Sequence, residues 1–265
     1  IWDGKIRLLE NKKYLPIGLK NKLFRFCNDI GIQYKYEGPK EKRLKLTEKQ
    51  IVEFYNKKIE YDKPLRDYQI QAVIDIFSIN RGVGILPTSS GKSLIQLLVS
   101  AIYLAMNPNG RVLLIVPTVN LVHQMFSDFC EYMENKDTNF ASKIQCIYSG
   151  QEKNKNVPIY ISTWQSLQNL DTSYLEQFTC VLCDECHSVE GKVLAGIIKK
   201  CHNASIKYGV SGSLYDSKVS MIQLEGLFGN IIRYTTTKEL IDKGIVSPLD
   251  IEIHVLKYPK ETRQL

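Results

Sequence analysis

Gly82-Val-Gly-Ile-Leu-Pro-Thr-Ser-Ser-Gly-Lys-Ser93 carries the chain from a short apolar run through a serine-rich loop into Leu94 to Met106, a stretch that is apolar all round. The order reads as strand, loop and buried helix. At such a junction the free backbone N–H groups and the dipole of a helix N-terminus favour phosphate. Gly91 lets the main chain approach, Lys92 reaches the β and γ oxygens of a polyphosphate, and Ser93 offers a hydroxyl to Mg2+. Thr88, Ser89 and Ser90 complete the loop expected to hold a nucleotide. The pattern G-x-x-x-x-G-K-[ST] is incomplete, because Leu86 stands at the first glycine and Ser89 where a second glycine is common. An ordinary serine-rich turn with a surface lysine is the plainer alternative, and the strand, loop and helix order speaks against it.

A second segment, Cys180-Val-Leu-Cys-Asp-Glu-Cys-His187, ends another buried strand pattern with two adjacent carboxylates. Asp184 is expected on Mg2+ and Glu185 beside an attacking water. The same stretch contains C-x2-C-x2-C, with Cys201 and His202 downstream, a spacing that can hold zinc or an iron–sulfur cluster. Side chains alternate along a strand, so Cys180 and Cys183 are expected to face opposite ways and to serve as small buried packers.

With both segments in place, the chain resembles the first motor domain of a superfamily 2 helicase, and four further segments follow in that family's order. Leu65-Arg-Asp-Tyr-Gln69 resembles the adenine-recognition motif, which implies Arg66 and Gln69 at the base, where a glutamine amide can pair with an adenine edge. Val116-Pro-Thr-Val-Asn-Leu-Val-His-Gln124 is similar to a segment that touches the nucleic-acid backbone, implying Pro117, Thr118 and Gln124. Ile161-Ser-Thr-Trp-Gln-Ser-Leu167 is similar to the next such segment, implying Thr163 and Gln165. Val210-Ser-Gly-Ser-Leu214 resembles the motif that couples nucleotide state to strand movement, implying Ser211, Gly212 and Ser213, with His187 facing it.

Within that superfamily, Trp2-Asp-Gly-Lys-Ile-Arg-Leu-Leu9, Leu15-Pro-Ile-Gly-Leu19 and Gly209-Val-Ser-Gly-Ser-Leu214 are similar to the UvsW-type phage recombination helicases, as is Asp184-Glu-Cys-His187. The resemblance covers essentially the whole chain. It implies a RecA-like P-loop domain using ATP and Mg2+, with DNA as partner: branched forms such as forks, junctions and displacement loops, and RNA–DNA hybrids. The implied setting is recombination, repair or replication in the cytoplasm of a bacterial host. Two other readings stand beside it: the motor subunit of a restriction enzyme, and a metal-containing nucleic-acid-binding module built on the cysteine run.

Charge is unevenly spread. The chain of 265 residues has a net charge of +7, yet residues 1–66 hold 17 Lys and Arg against 9 Asp and Glu, and residues 67–265 hold 18 against 19. The surplus therefore lies at the N-terminal end, interleaved with Trp2, Tyr14, Phe24, Phe26, Tyr34 and Tyr36, a mixture suited to phosphate contact and base stacking. Lys5, Arg7, Lys12, Lys13, Lys20, Lys22 and Arg25 are the expected phosphate contacts; a solvated face is the plainer reading. No stretch approaches the ~18 consecutive apolar residues of a membrane span. Seven cysteines with no secretory context read as reduced thiols.

The pattern along the chain divides it into a small α+β accessory domain at 1–60, a RecA-like domain at 61–250 and, at 251–265, the start of a linker to a second RecA-like domain outside this chain. The accessory part reads as a strand at Lys5 to Leu9, a helix at Leu19 to Ile30, a strand at Gln33 to Tyr36 and a helix from a Thr47/Gln50 capping box to Asn56. Strands near 82–86, 111–116, 143–148, 158–162, 179–184 and 205–210 alternate with helices, which predicts a mostly parallel sheet covered on both faces. In superfamily 2 enzymes the second motor domain supplies an arginine finger, so the 265-residue chain by itself is expected to turn over ATP poorly.

Overall fold

The structure, a computed structural model, describes residues 14–38, 43–59, 61, 63–149, 156–188, 191–213, 218–248 and 252. Lys5, Arg7, Lys12 and Lys13, the strand expected at Lys5 to Leu9, Leu214 and nearly all of 251–265 lie outside them.

Seven strands form one parallel sheet: β1 (Arg81–Ile85), β2 (Val112–Val116), β3 (Ile144–Ile147), β4 (Ile159–Thr163), β5 (Cys180–Cys183), β6 (Ile206–Ser211) and β7 (Ile231–Arg233). Their order across the sheet is β3-β4-β2-β5-β6-β1-β7. The helices are α1 (Lys20–Asp29), α2 (Glu48–Lys58), α3 (Asp67–Ile79), α4 (Lys92–Met106), α5 (Val119–Met133), α6 (Trp164–Gln168), α7 (Thr172–Leu175), α8 (Gly191–Lys200), α9 (Lys218–Phe228) and α10 (Thr237–Asp242).

Six strands fall within one residue of their expected limits, because a parallel strand buried on both faces is written as a mostly apolar run. The seventh, β7, was not legible. It is three half-exposed or exposed residues long, too short to show a period, and exists through its pairing with β1, where Val83 lies opposite Ile231.

Alternation along each strand divides the core in two. Val112, Leu114 and Val116 pack on one face with Ile159, Ile161, Leu182, Tyr208 and the inner sides of α2 to α5. Leu113, Ile115, Tyr160, Val181 and Ile85 pack on the other with Phe178, Ile197 and Phe228. Cys180 joins the first cluster, whereas Cys183, Cys186 and Cys201 join the second. The cysteine run thus separates across the sheet, and burial pushes the Cys180 and Cys183 thiols up, away from the thiolate form that binds metal.

Lys207 is a buried cation in β6. Its ammonium donates to the Ile198 carbonyl at 3.0 Å, in the last turn of α8, where a positive charge complements the helix dipole. Burial, followed by the neighbouring Arg81 charge, lowers its pKa to about 8.

The accessory segment is less regular than expected. Thr47 and Gln50 do form a reciprocal capping box, and α2 runs on through Lys58. Ile51 and Tyr55 of α2, with Ile59 just after it, enter the same core as α3 and α4, and the Tyr55 hydroxyl donates to the Lys63 carbonyl at 2.7 Å. Gln33 to Tyr36 is extended without strand pairing; Tyr34 instead stacks on Phe24, with ring centroids 4.6 Å apart. The 3-10 turn Ile17–Leu19 packs on α9 so closely that a Cβ at Gly18 would overlap the Glu225 carbonyl.

Candidate functional site

Parallel strands deliver their carboxyl ends to one edge, so the loops after β1, β5 and β6 meet there. A cavity of about 650 Å³ opens at that edge, lined among others by Thr88, Ser89, Gly91, Lys92, Ser93, Asp184 and Glu185. The loop after β1 needs left-handed backbone at two positions, Ser89 (φ 64°) and Gly91 (φ 81°), which explains why glycine is common at the first of them. A Cβ at Gly91 would also run into the Gln69 carboxamide. Lys92 then begins α4, with Gly91 as its N-cap.

Lys92 and Glu185 are ion-paired, with side chains 14% and 25% exposed. The second oxygen of Glu185 accepts from the Gly212 amide at 3.2 Å and lies 3.3 Å from Nδ1 of His187. Burial alone would raise the Glu185 pKa, but the Lys92 hydrogen bond and charge, the Gly212 amide and His187 together hold it below the usual range. Glu185 itself adopts φ 43°, a left-handed conformation uncommon for a side chain of this size.

Asp184 is the complementary carboxylate. It is 7% exposed, and its Oδ1 is buried with no hydrogen-bond partner among the described residues. Burial pushes its pKa up to about 6, against the opposing pull of the Lys92 charge. An orphaned carboxylate oxygen beside an ammonium, a serine hydroxyl and a helix N-terminus fits a divalent cation carried by a polyphosphate: the missing partner is a positive charge. The buried Ser90 hydroxyl is also unpartnered.

His187 and Ser211 are brought together, with Nδ1 2.6 Å from Oγ. The Ser211 hydroxyl also donates to the Ser213 carbonyl, so its single proton is committed there and Nδ1–H of His187 becomes the donor of the pair. Ser211 and Gly212 thereby touch the same Glu185–His187 corner, and Ser213 is tied to it through Ser211.

Gln69 is buried, and its carboxamide already serves the chain. Oε1 accepts from the Arg66 amide at 3.0 Å, capping α3, while Nε2 donates to the Ser90 carbonyl at 2.9 Å. The Tyr68 hydroxyl donates to the same carbonyl at 2.9 Å and accepts from the Arg66 guanidinium at 2.9 Å. Arg66 and Gln69 therefore brace the phosphate loop as well as lining the cavity, leaving one N–H and one lone pair on the glutamine for a ligand.

The expected nucleic-acid residues divide. Thr118 caps α5, accepting from the Leu121 amide at 3.3 Å, and Gln165 donates to the Pro117 carbonyl at 3.4 Å, so these segments are neighbours at one edge of the sheet. Thr163 is buried, its hydroxyl 3.0 Å from that of Ser166. Gln124 is exposed on α5 and, with Leu121, Met125, Asp128 and Tyr132, lines the cavity. That face, with Tyr61 and Lys63, is the part of the site that the motifs did not reveal; its only trace in the sequence is helical spacing from Leu121 to Tyr132.

A family model for the Type III restriction enzyme res subunit matches residues 62–214, and one for the N-terminal part of the DNA helicase UvsW matches residues 1–37. The chain superposes on the crystal structure of the UvsW helicase from bacteriophage T4 with a TM-score of 0.76 and 34% identity, covering 88% of this chain and 83% of that one. The chain belongs to the UvsW family of superfamily 2 helicases. In sequence it is 36% identical to the ATP-dependent DNA helicase UvsW of Enterobacteria phage T4 across 98% of its length, and spans 52% of that protein. This UvsW-family chain therefore spans about half the length of its curated T4 relative. The Hef helicase domain of Pyrococcus furiosus, 20% identical with a TM-score of 0.54 over 64% of this chain and 38% of that one, shares the RecA-like fold.

Proposed function

We propose that this chain is the ATP-binding part of a DNA helicase or translocase that remodels branched DNA in recombination, repair or replication. One observation carries the reading: Lys92, Asp184 and Glu185, delivered by two loops, line one cavity, and Glu185 there accepts from the Gly212 amide of a third loop.

In this reading Lys92 and the loop Thr88 to Ser93 hold the phosphates, Ser93 and Asp184 hold magnesium, and Arg66 and Gln69 face the adenine. Bound magnesium supplies charge neutralisation at the β and γ phosphates. Glu185, kept ionised by its partners, orients a water and accepts its proton. His187 passes the position of Glu185 to Ser211, and from there to the loop at Gly212 and Ser213. Pro117, Thr118, Thr163 and Gln165 offer neutral contacts to the DNA backbone, and the basic N-terminal region adds charge.

The named T4 relative is an ATP-dependent DNA helicase, which supports the class of activity. Among the described residues no helix is long and apolar enough to cross a membrane. The test is the ATPase rate of the full-length protein with single-stranded, duplex, forked and four-way DNA, and with RNA–DNA hybrids. Strongest stimulation by forked or four-way DNA is expected. ATPase indifferent to every nucleic acid would refute the reading.

A further inference from the structure

Ser93 Oγ lies 3.2 Å from the hydroxyl of Tyr132, a residue 39 positions away in the last turn of α5 and outside every motif in the sequence. Both side chains are half-buried and both line the cavity. The tyrosine is held there independently of the serine: its ring meets Tyr61 edge-on, with centroids 4.8 Å apart and planes at 76°, and α5 packs along α4.

A serine hydroxyl has one proton and two lone pairs. A cation can take a lone pair only if the proton points elsewhere. Ser93 is the second residue of α4, two past its Gly91 N-cap, so no earlier turn of the helix is there to take the hydroxyl proton. An acceptor fixed on the cavity side, such as the Tyr132 oxygen, gives that proton a set direction and leaves a lone pair for the metal.

We propose that Tyr132 is a positioning residue for the metal end of the site, acting through Ser93 to orient the hydroxyl that receives magnesium. This rests on the reading of the cavity as a magnesium–nucleotide site. Tyr132→Phe is the clean variant, since it keeps the ring that packs on Tyr61 and removes only the oxygen.

The experiment is equilibrium titration of the full-length protein with a fluorescent ADP analogue, with magnesium varied or chelated. It compares the unaltered protein, Tyr132→Phe, Ser93→Ala and the double variant, with thermal melting to confirm that each is folded. Loss of one neutral hydrogen bond is expected to raise the half-saturating magnesium concentration of Tyr132→Phe roughly threefold to tenfold. Its affinity without magnesium is expected to change less than about twofold, and adding Tyr132→Phe to Ser93→Ala is expected to change nothing further. An unmoved magnesium requirement in Tyr132→Phe, or an undiminished effect in the Ser93→Ala background, overturns the role given to Tyr132 while leaving the nucleotide site intact. Failure of the unaltered protein to bind the analogue at any magnesium concentration overturns the nucleotide reading and this inference with it.

Discussion

Lys92 and Glu185 stand 93 residues apart in the chain and form an ion pair at the cavity. The pair keeps the ammonium and the carboxylate ordered without a ligand, and it also sets them in competition. A polyphosphate must draw Lys92 away from Glu185 before the carboxylate is available to a water.

That competition shapes the expected behaviour of Glu185→Gln. The amide keeps the shape and the Gly212 contact while removing the negative charge that holds Lys92. Nucleotide affinity is therefore expected to stay equal or become tighter, while turnover falls about 10²–10⁴-fold with the loss of the proton acceptor. Steady-state ATPase and nucleotide titration on the full-length protein check both halves; normal turnover would remove Glu185 from its role.

Asp184 makes stability depend on pH in an unusual direction. An unfolded aspartate loses its proton near 3.8, whereas the buried folded one keeps it to about 6. Between those values the folded state binds more protons, so unfolding free energy falls as pH rises, by up to about 3 kcal/mol for a shift of this size. Denaturant melts at intervals from pH 4 to 7 should show this decline, and Asp184→Asn should flatten it. Magnesium with nucleotide should offset it above pH 6, because the ionised carboxylate then has its counter-charge.

The basic helix α1 offers a graded test of DNA contact. Lys22 is already paired with Glu225 of α9, whereas Arg25 is exposed on the next turn. Arg25→Ala should lower the slope of log affinity against log salt by about 0.7–0.9, the value of one lost phosphate contact. Lys22→Ala should change it less, since its partner had displaced the phosphate. Thr118→Ala and Gln165→Ala should weaken DNA without altering the slope, because neutral groups release no counterions. DNA binding measured between low and moderate salt separates the three.

Gly18 is the hinge pin of the N-terminal docking. A side chain there meets backbone atoms of Glu225 and Gly226, which cannot rotate away. Gly18→Val should cost about 1–3 kcal/mol, as overpacking does, and should expose the segment before α2 to protease. A melting curve and limited proteolysis identical to the unaltered protein would show that the turn does not need this close approach.

Much of this was legible before any coordinates. The strands from β1 to β6 are mostly apolar stretches with a loop signal at their ends, β2 (VLLIV) most plainly, with Arg81, Gln145 and Lys207 the charged or amide exceptions, and α4 declares itself by being apolar on all sides. The phosphate loop and the Asp184–Glu185 pair are local in sequence, so their chemistry is written in adjacent letters. Gln124 shows what motif order leaves open: six residues beyond Thr118, and turned by about 100° per residue, it also lines the cavity, which the motif by itself did not reveal.

Sequence alone determined the parallel α/β architecture and the family, and singled out the residues proposed to meet phosphate and metal, since all three depend on composition and spacing along short stretches. Only the tertiary structure decided which of those residues touch. The Lys92–Glu185 pair, the Ser211–His187 contact, the bracing of Ser90 by Gln69 and the Tyr132 hydroxyl on Ser93 are set by strand order and helix rotation, which emerge when separate segments bury their apolar faces against one another.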